Sequence, residues 1–366
     1  MKKLISFLSI FITLVLLVAC GETEVGVENE SDPSETESES EYNDDDIAGD
    51  PETQLEVMVT MFAQYDFARQ IGGGHINVSR LVAPGVDVHS FDPTPTDIIA
   101  INEADLFIYT GDEMEPWVHR ILDSLDTNDL SILNVSTGAN FLPWYGSHDH
   151  HEHNHDHDED DHDHHSHDHD HDEEDDHHDH DHDHDEDHDH HDHDHNYDPH
   201  IWTSPVNAII MVRNIQEYLT TLMPEYADDF ANNAEAIITE LEELDQEFRE
   251  LVDNAQRTTI YHAGRFAMHY LMQEYGIDFV AAAMETEPDP TLVAQIIDEI
   301  ESYDIPVVFH EELVYPQIAN MIAEETGAQA LVLHTIHNVS ADEITAGITY
   351  IDLQRQNIEA LRIALH

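Results

Sequence analysis

The segment His148–His195 sets the first limit on what this chain can fold into. Its 48 residues comprise 22 His, 24 Asp or Glu, one Asn and one Ser, without a single apolar side chain. A segment with nothing to bury cannot offset the conformational entropy that folding removes, so we expect it to be a solvated, disordered loop. Any folded core must therefore come from the residues on either side of this His/Asp-rich tract.

The side chains of the tract indicate metal binding. Neutral imidazole is the commonest metal ligand in proteins, carboxylate oxygens supplement it, and His-rich runs are typical of metal-binding segments. A low-complexity spacer that only keeps the protein soluble is the alternative interpretation. A plain acidic spacer would not need imidazole at nearly every second position, and this regularity favours metal binding.

The net charge of the chain restricts its partners. There are 81 Asp and Glu against 11 Lys and Arg, a formal charge of −70, and both lysines lie within the first three residues. A surface of this sign repels polyanions, which argues against nucleic acid or anionic lipid as a partner.

The N-terminal residues predict export and a lipid anchor. Two lysines precede an apolar run that is too short for a comfortable membrane span, and this is typical of a secretory signal peptide, here residues 1–19. The run ends in Leu-Val-Ala-Cys-Gly, which resembles the bacterial lipobox, and Cys20 is the sole cysteine. We therefore expect a lipid on Cys20 that holds the protein at the outer face of the cell membrane, or a periplasmic protein if the cell has two membranes. Residues 20–50 predict an acidic, disordered tether.

Strand-like and helix-like segments alternate on both sides of one long helical stretch. The alternation runs through residues 51–224, which the tract interrupts, and again through residues 257–366, which end in a predicted closing helix over 342–365. Such alternation is typical of βαβ units on a parallel sheet. Residues 225–256 are the predicted linking helix, of which residues 225–254 would span roughly 45 Å at a rise of about 1.5 Å per residue. We predict an α/β fold of two lobes, each with a parallel sheet flanked by helices, joined by this rigid helix.

The histidines outside the tract predict a second, ordered metal site. Those at the ends of predicted strands or in rigid loops are His89, His200, His262, His310, His334 and His337. Ligands of α/β sheets bind beyond the carboxyl ends of the strands, which places the site in the cleft between the lobes. Neutral imidazoles from four separate loops, those of His89, His200, His262 and His334, would form a tetrahedral nitrogen site suited to zinc.

His310 is followed by Glu311 and Glu312, a cluster that invites comparison with metalloproteases. Position 314 is Val rather than His, so the His310 cluster lacks the His-Glu-x-x-His spacing and does not support a protease site. We interpret these three residues as surface groups or as groups that support the ligands.

Three motifs, in chain order, resemble those of the substrate-binding lipoproteins of zinc and manganese ABC importers. They are Pro-Gly-Val-Asp-Val-His-Ser-Phe-Asp-Pro-Thr-Pro around His89, Asp-Pro-His-Ile-Trp around His200 and Tyr-His-Ala-Gly-Arg-Phe around His262. The segments 109–117 and 349–357 also fit that family. The similarity covers residues 51–366, and the order of the motifs makes it specific.

The resemblance implies a metal receptor that transforms nothing chemically. Its implied ligands are His89, His200 and His262, with a fourth after the last strand, where many relatives carry a carboxylate. This chain offers His334 there, with His337 as the alternative and water as a third possibility. Imidazole in place of carboxylate favours Zn²⁺ over Mn²⁺, because manganese prefers oxygen ligands. The resemblance further implies a monomer that works with an ABC permease and its ATPase.

Two other functions stay open at this point. A zinc hydrolase would need an open coordination position and a glutamate as general base. A metal buffer or adhesin would depend on the tract alone. Since the family's zinc receptors carry a His-rich loop just before the second ligand motif, we expect the tract to be an accessory zinc collector beside the ordered site.

Overall fold

The computed structural model describes residues 54–143, 197–283 and 288–366. The predicted signal peptide, Cys20, the acidic tether and the His/Asp-rich tract all lie outside these ranges. None of the helices within them is both long enough and apolar enough to cross a membrane.

The first lobe contains a four-stranded parallel sheet. Its elements are β1 (Leu55–Val59), α1 (Phe62–Gly72), β2 (Ile76–Arg80), α2 (Pro95–Asn102), β3 (Leu106–Tyr109), α3 (Pro116–Ile121) and β4 (Ser131–Asn134). The strands lie in the order β2-β1-β3-β4. All four residues of β3 are buried, as expected of an inner strand that is covered on both faces.

Two helices follow the first lobe. They are α4 (Pro205–Leu222) and α5 (Ala227–Asp253), separated by a turn that begins at Pro224. The second is the predicted linking helix; its 27 residues span about 40 Å at 1.5 Å per residue. Its apolar residues recur every three or four positions and are buried, so one face packs along the protein. The helix contacts α1, α4 and two helices of the second lobe, His269–Tyr275 and Tyr350–Leu365.

The second lobe repeats the arrangement of the first. It comprises β5 (Thr259–Arg265), α6 (His269–Tyr275), β6 (Asp278–Ala283), α7 (Pro290–Tyr303), β7 (Val307–His310), α8 (Gln317–Thr326), β8 (Gln329–Val332), α9 (Ala341–Ala346) and α10 (Tyr350–Leu365). The parallel strand order is β6-β5-β7-β8, which matches the first sheet position by position. The predicted class of fold, two parallel-sheet lobes and a long helix, is confirmed.

Each sheet reverses its winding next to its first strand. The reversal lies between β1 and β3 in one lobe and between β5 and β7 in the other. Loops that leave the carboxyl ends of such strands diverge and leave a crevice, which is where ligands of open α/β sheets bind. The predicted site histidines lie in or near these loops.

One hydrophobic core runs through both lobes. Val57 and Phe67 of the first lobe, Leu244 of α5 and Phe309 of the second lobe belong to the same buried cluster. The side chain of Trp202 is fully buried there and donates from Nε1 to the carbonyl of Thr335 at 2.9 Å. The lobes are thus joined by packing as well as by the linking helix.

Two predicted boundaries in the second lobe are wrong. Strand β5 runs three residues past His262, the predicted end, so that His262 lies inside the strand. The predicted closing helix over 342–365 is two helices, α9 and α10, because Gly347 adopts a left-handed backbone with φ of 74°. Thr349 then starts α10 with a reciprocal capping box to Asp352, which makes a new helix start more favourable than continuation.

Candidate metal centre

Three imidazoles converge in the cleft. The potential ligand nitrogens of His89, His200 and His337 all lie within 4.8 Å of one another. His89 Nε2 is 2.9 Å from His337 Nε2 and 3.4 Å from His200 Nε2. Nitrogens bound tetrahedrally at 2.0–2.1 Å from zinc are roughly 3.3 Å apart, so the observed spacing fits a single Zn²⁺ ion. His200 and His337 are buried, and His89 lies at the exposed rim.

His89 is held by a short turn after β2. It is the middle residue of a 3₁₀ turn, Val88–Ser90, and the side chain of Asp87 caps that turn. Asp87 Oδ1 accepts a hydrogen bond from the backbone N–H of His89 at 3.1 Å. The buried side chain of Val88 anchors the turn in the core. The backbone at His89 is therefore fixed although the residue lies at the surface.

His200 is oriented by a buried carboxylate. Asp198 Oδ1 accepts from the backbone N–H of His200 at 2.9 Å and from its Nδ1 at 2.8 Å. With the proton on Nδ1, the lone pair of Nε2 is free to bind a metal, an arrangement common in zinc sites. Burial alone would raise the pKa of the Asp198 carboxyl, but its electrostatic attraction to the His200 ring and the hydrogen bonds from His200 and His269 hold the pKa well below its usual value.

His337 is oriented by a relay of two side chains. The Thr335 hydroxyl donates to Glu312 Oε1 at 2.6 Å, and its oxygen therefore accepts from Nδ1 of His337, with which it is in hydrogen-bond contact. The backbone N–H of Thr335 also donates to Glu312, at 2.8 Å. The relay places the proton of His337 on Nδ1 and leaves its Nε2 to face the other two imidazoles.

His334, the preferred fourth ligand from the sequence, lies outside this cluster. Its Nδ1 accepts a hydrogen bond from the backbone N–H of Ile336 at 3.0 Å. Ile336 has φ of 61°, a conformation that is unfavourable for a β-branched residue and needs such support. The Nε2 atom of His334 is buried and has no hydrogen-bond partner among the described residues. In this structure His334 supports the turn that presents His337.

His262 also lies apart from the three converging imidazoles. It is a buried residue of β5, and its Nδ1 is 3.2 Å from both the nitrogen and the oxygen of Gly264. His310 ends β7, and its Nδ1 is 2.8 Å from the carbonyl oxygen of Glu311. Burial and, to a smaller extent, the nearby His310 lower the pKa of His262 to about 4, against the opposing effect of the Gly264 carbonyl, which can accept a hydrogen bond from the ring. The ring is thus kept neutral and able to act as a ligand.

Burial also keeps two of the converging imidazoles neutral. Although His89 lies at the exposed rim, its Nε2 faces the other two imidazoles. Loss of solvent around the ring, assisted by the neighbouring His200 and by the guanidinium of Arg265, lowers its pKa to about 3. Burial, together with His89 and His200, lowers the pKa of His337 well below its usual value. Because protonated imidazole cannot bind a metal, these shifts favour the ligand form.

Sequence reasoning missed the residues that orient the ligands, although a local signal was present. Each of the three histidines is preceded two positions earlier by a short oxygen-bearing side chain that bonds to it: Asp87, Asp198 and Thr335. Asp and Thr side chains commonly bond to the residue two positions on, which closes a tight turn. An Asp-x-His or Thr-x-His pattern in a loop is therefore a usable signal for a histidine that is held by its own turn.

The sequence of this chain is similar to those of two zinc proteins. It is 30% identical over 317 residues to the zinc-binding protein AdcA of Streptococcus pyogenes serotype M3, an alignment that covers 85% of this chain and 56% of that protein. It is 30% identical over 315 residues to the high-affinity zinc uptake system protein ZnuA of Bacillus subtilis, covering 85% of this chain and 88% of that one. The chain thus spans just over half the length of AdcA and most of the length of ZnuA.

Solved structures share the fold. The metal-dependent lipoprotein YcdH from Bacillus subtilis aligns with a TM-score of 0.66 and 26% identity, over 85% of this chain and 99% of that one. The Zn(II)-bound ZnuA-like domain of AdcA from Streptococcus pneumoniae aligns with a TM-score of 0.65 at 24% identity, over 85% and 99% of the two chains. Residues 57–364 match the family described as zinc-uptake complex component A, periplasmic. The resemblance inferred from the three motifs is therefore confirmed, and this chain belongs to the ZnuA family.

Proposed function

We propose that this protein captures Zn²⁺ outside the cell and delivers it to the permease of an ABC importer, which an ATPase drives. The observation that carries the proposal is the convergence of three Nε2 atoms in the cleft between two lobes. A site of this kind needs no reactive group, because the ion is the cargo and is only bound and released. The names of the relatives AdcA and ZnuA support zinc as that cargo.

We assign the ligands to His89, His200 and His337, with His262 as the fourth. His262 supports this role because it is buried and neutral and belongs to the third motif of the family resemblance. His262 lies in β5, the first strand of the second lobe. Movement of the second lobe toward the first would bring the His262 ring closer to the three imidazoles and complete the coordination. His334 is the alternative fourth ligand, since its Nε2 is buried without a hydrogen-bond partner in the described part of the chain.

The carboxylates beside the site support a receptor rather than a hydrolase. A zinc hydrolase uses a free glutamate as general base next to an open coordination position. Here Glu312 accepts from Thr335 at two atoms, and Glu311 lies 3.4 Å from the guanidinium of Arg265. Both carboxylates are therefore occupied by structural contacts.

Zinc should displace manganese from the ordered site. Imidazole nitrogen suits Zn²⁺, whereas Mn²⁺ prefers carboxylate, carbonyl and water oxygens. The test is metal analysis of protein purified without added metal, followed by titration of metal-free protein with each ion and with both at equal concentration. We expect one tight equivalent of zinc and no loss of it to manganese. Tight manganese binding in preference to zinc would contradict the proposal.

Zinc affinity at the ordered site should fall by about tenfold or less when the pH is lowered from neutral to about 5.5. If all three imidazoles had the ordinary pKa, protonation at pH 5.5 would lower the zinc affinity by about tenfold for each ring, or roughly a thousandfold in total. The lowered pKa values of His89 and His337 keep these rings neutral, so proton competition begins only as the pH approaches those lower values. Competition titrations against a chelator at several pH values measure this; a thousandfold loss at pH 5.5 would contradict it.

We further propose the arrangement of the chain at the membrane. Residues 1–19 form the signal peptide, a lipid on Cys20 anchors a monomeric receptor to the outer face of the membrane, and residues 20–50 tether the lobes. We propose lobe boundaries at 51–224 and 257–366 with the linking helix over 225–256. The name of one relative, the zinc-binding lipoprotein AdcA of Streptococcus pneumoniae, supports the anchor. Mass spectrometry of the membrane-extracted protein tests for acyl chains on Cys20.

A further inference from the structure

Arg265 bridges the two lobes beside the metal centre. It is the last residue of β5, and the pairing of β5 with β6 shifts register between His262 and Arg265. Such an irregularity re-aims the side chains at the end of a strand. The guanidinium lies 3.4 Å from Glu311 Oε2 in its own lobe and 3.6 Å from Asp87 Oδ1 in the first lobe.

Asp87 connects this ion pair to a proposed metal ligand. The oxygen that faces Arg265, Oδ1, also accepts the hydrogen bond from the backbone N–H of His89. The Asp87 side chain is 47% exposed and the Arg265 side chain is 23% exposed. Fixing the Asp87 carboxylate from the second lobe therefore fixes the cap of the turn that carries His89.

The position of the pair makes it relevant to release of the ion. A cleft of about 630 Å³ and a smaller cavity of about 80 Å³ that reaches His337 share Asp87, Arg265 and Glu311 in their walls. Among the Arg–carboxylate ion pairs of the described residues, Arg265–Asp87 is the one that joins the two sheet-bearing lobes. Separation of the lobes at the metal centre must break it.

We propose that Arg265 is a positioning residue, which latches the second lobe to the His89 turn through Asp87 and so slows the release of zinc. This inference rests on the proposed function of the site as a zinc receptor. Two effects of the guanidinium oppose each other. Its ion pair restrains the His89 turn and slows release, whereas its positive charge repels a nearby cation and speeds release. The geometry, with the contact on the carboxylate that caps His89, favours the restraint.

The test measures the rate at which a chelator removes zinc from the loaded protein. Arg265→Gln and Asp87→Asn should each speed release about three- to tenfold, the range expected for a partly exposed ion pair close to a binding site. Asparagine keeps an oxygen to cap His89, so Asp87→Asn removes the charge and spares the cap. The double variant should release zinc no faster than either single variant, since both remove the same contact. Arg265→Lys should restore slow release in part.

Controls separate the latch from general stability and from the proposed function. Salt should speed release from the natural protein more than from Arg265→Gln, an effect that loss of packing alone would not produce. Arg362→Gln removes an exposed guanidinium of the same lobe, paired with Glu359, and should leave the rate nearly unchanged. Slower release from Arg265→Gln, or additive effects in the double variant, would overturn the latch. If the natural protein binds no zinc at all, the proposed function itself fails.

Discussion

Replacing His337 with alanine should lower the zinc affinity of the ordered site by about two to three orders of magnitude. Structural zinc sites of four ligands bind with roughly 10–16 kcal/mol, so one ligand contributes about 3–4 kcal/mol. His337 Nε2 points at the other two imidazoles, and its Nδ1 is held by the Thr335–Glu312 relay. No other described histidine lies within the cluster to replace it. Competition with a chromophoric chelator near neutral pH measures the change.

His334→Ala is the matched control for this prediction. His334 is three positions earlier on the same loop, and it acts on His337 through the backbone N–H of Ile336. Loss of a group that only orients a ligand typically lowers metal affinity ten- to a hundredfold. Here the effect should lie at the lower end of that range, because Asn357 also holds the turn through hydrogen bonds with both the N–H and the C=O of His334. We expect about a tenfold loss. A larger effect of His334→Ala than of His337→Ala would reverse the assignment of the two residues.

The choice between these two histidines shows where sequence reasoning stops. The sequence pattern predicts that His334 ends the last strand, but β8 ends at Val332. The chain then turns through Ile336 with positive φ, a conformation that no sequence pattern predicts for a β-branched residue. The end of the strand, two residues earlier than predicted, determines which imidazole faces the cleft. The sequence alone therefore does not distinguish His334 from His337 as the ligand.

The layers of the fold were predictable for a different reason. The inner strands β3 and β7 coincide with short apolar runs, because inner strands of parallel sheets are buried on both faces and read as continuous hydrophobic segments. The edge strand β2 instead alternates between apolar and polar residues. Helix starts at Thr94 and Ser204 are held by side-chain caps followed by proline at the first helical position, a signal that sequence shows directly. The register shift in β5 between His262 and Arg265 has no such signal in the sequence. The positions of these two side chains at the end of the strand were therefore not predictable.

The described residues on either side of the tract are joined to each other. Pro143 and Tyr197, the described residues that flank it, pair as an isolated antiparallel bridge. Next to this bridge, the backbone N–H of Asp198 donates to the carbonyl of Leu142 at 2.9 Å. The hydroxyl of Tyr270 accepts from the N–H of Leu142 at 3.1 Å and donates to the carbonyl of Asp198 at 2.7 Å. These contacts form a stem, residues 142–143 with 197–198, which is joined to α6 of the second lobe.

Removal of Asp149–Asp194 should abolish most of the zinc that the protein binds and leave one tight site. The tract holds 22 of the 32 histidines of the chain, whereas the converging imidazoles lie outside it. Because the stem is held by its own backbone bonds and by Tyr270, the shortened connection should leave Asp198 and His200 in place. Calorimetry of the full-length and shortened proteins should show the stoichiometry falling to one and the affinity of the tight site changing by less than about threefold.

A second variant separates the chemistry of the tract from its length. Replacing its histidines with serine at unchanged length keeps the acidic loop and removes its imidazole ligands. If the tract collects zinc, both variants should slow zinc uptake by cells at limiting zinc and leave uptake at high zinc unchanged, since many weak sites raise the local concentration only when the ion is scarce. Loss of the tight site in the shortened protein would instead make the tract the principal binding element and the protein a metal buffer. Unchanged uptake at limiting zinc would contradict the collecting role of the tract. The proposal for the ordered site would still stand, because Asp198, the carboxylate that orients His200, belongs to the stem and not to the tract.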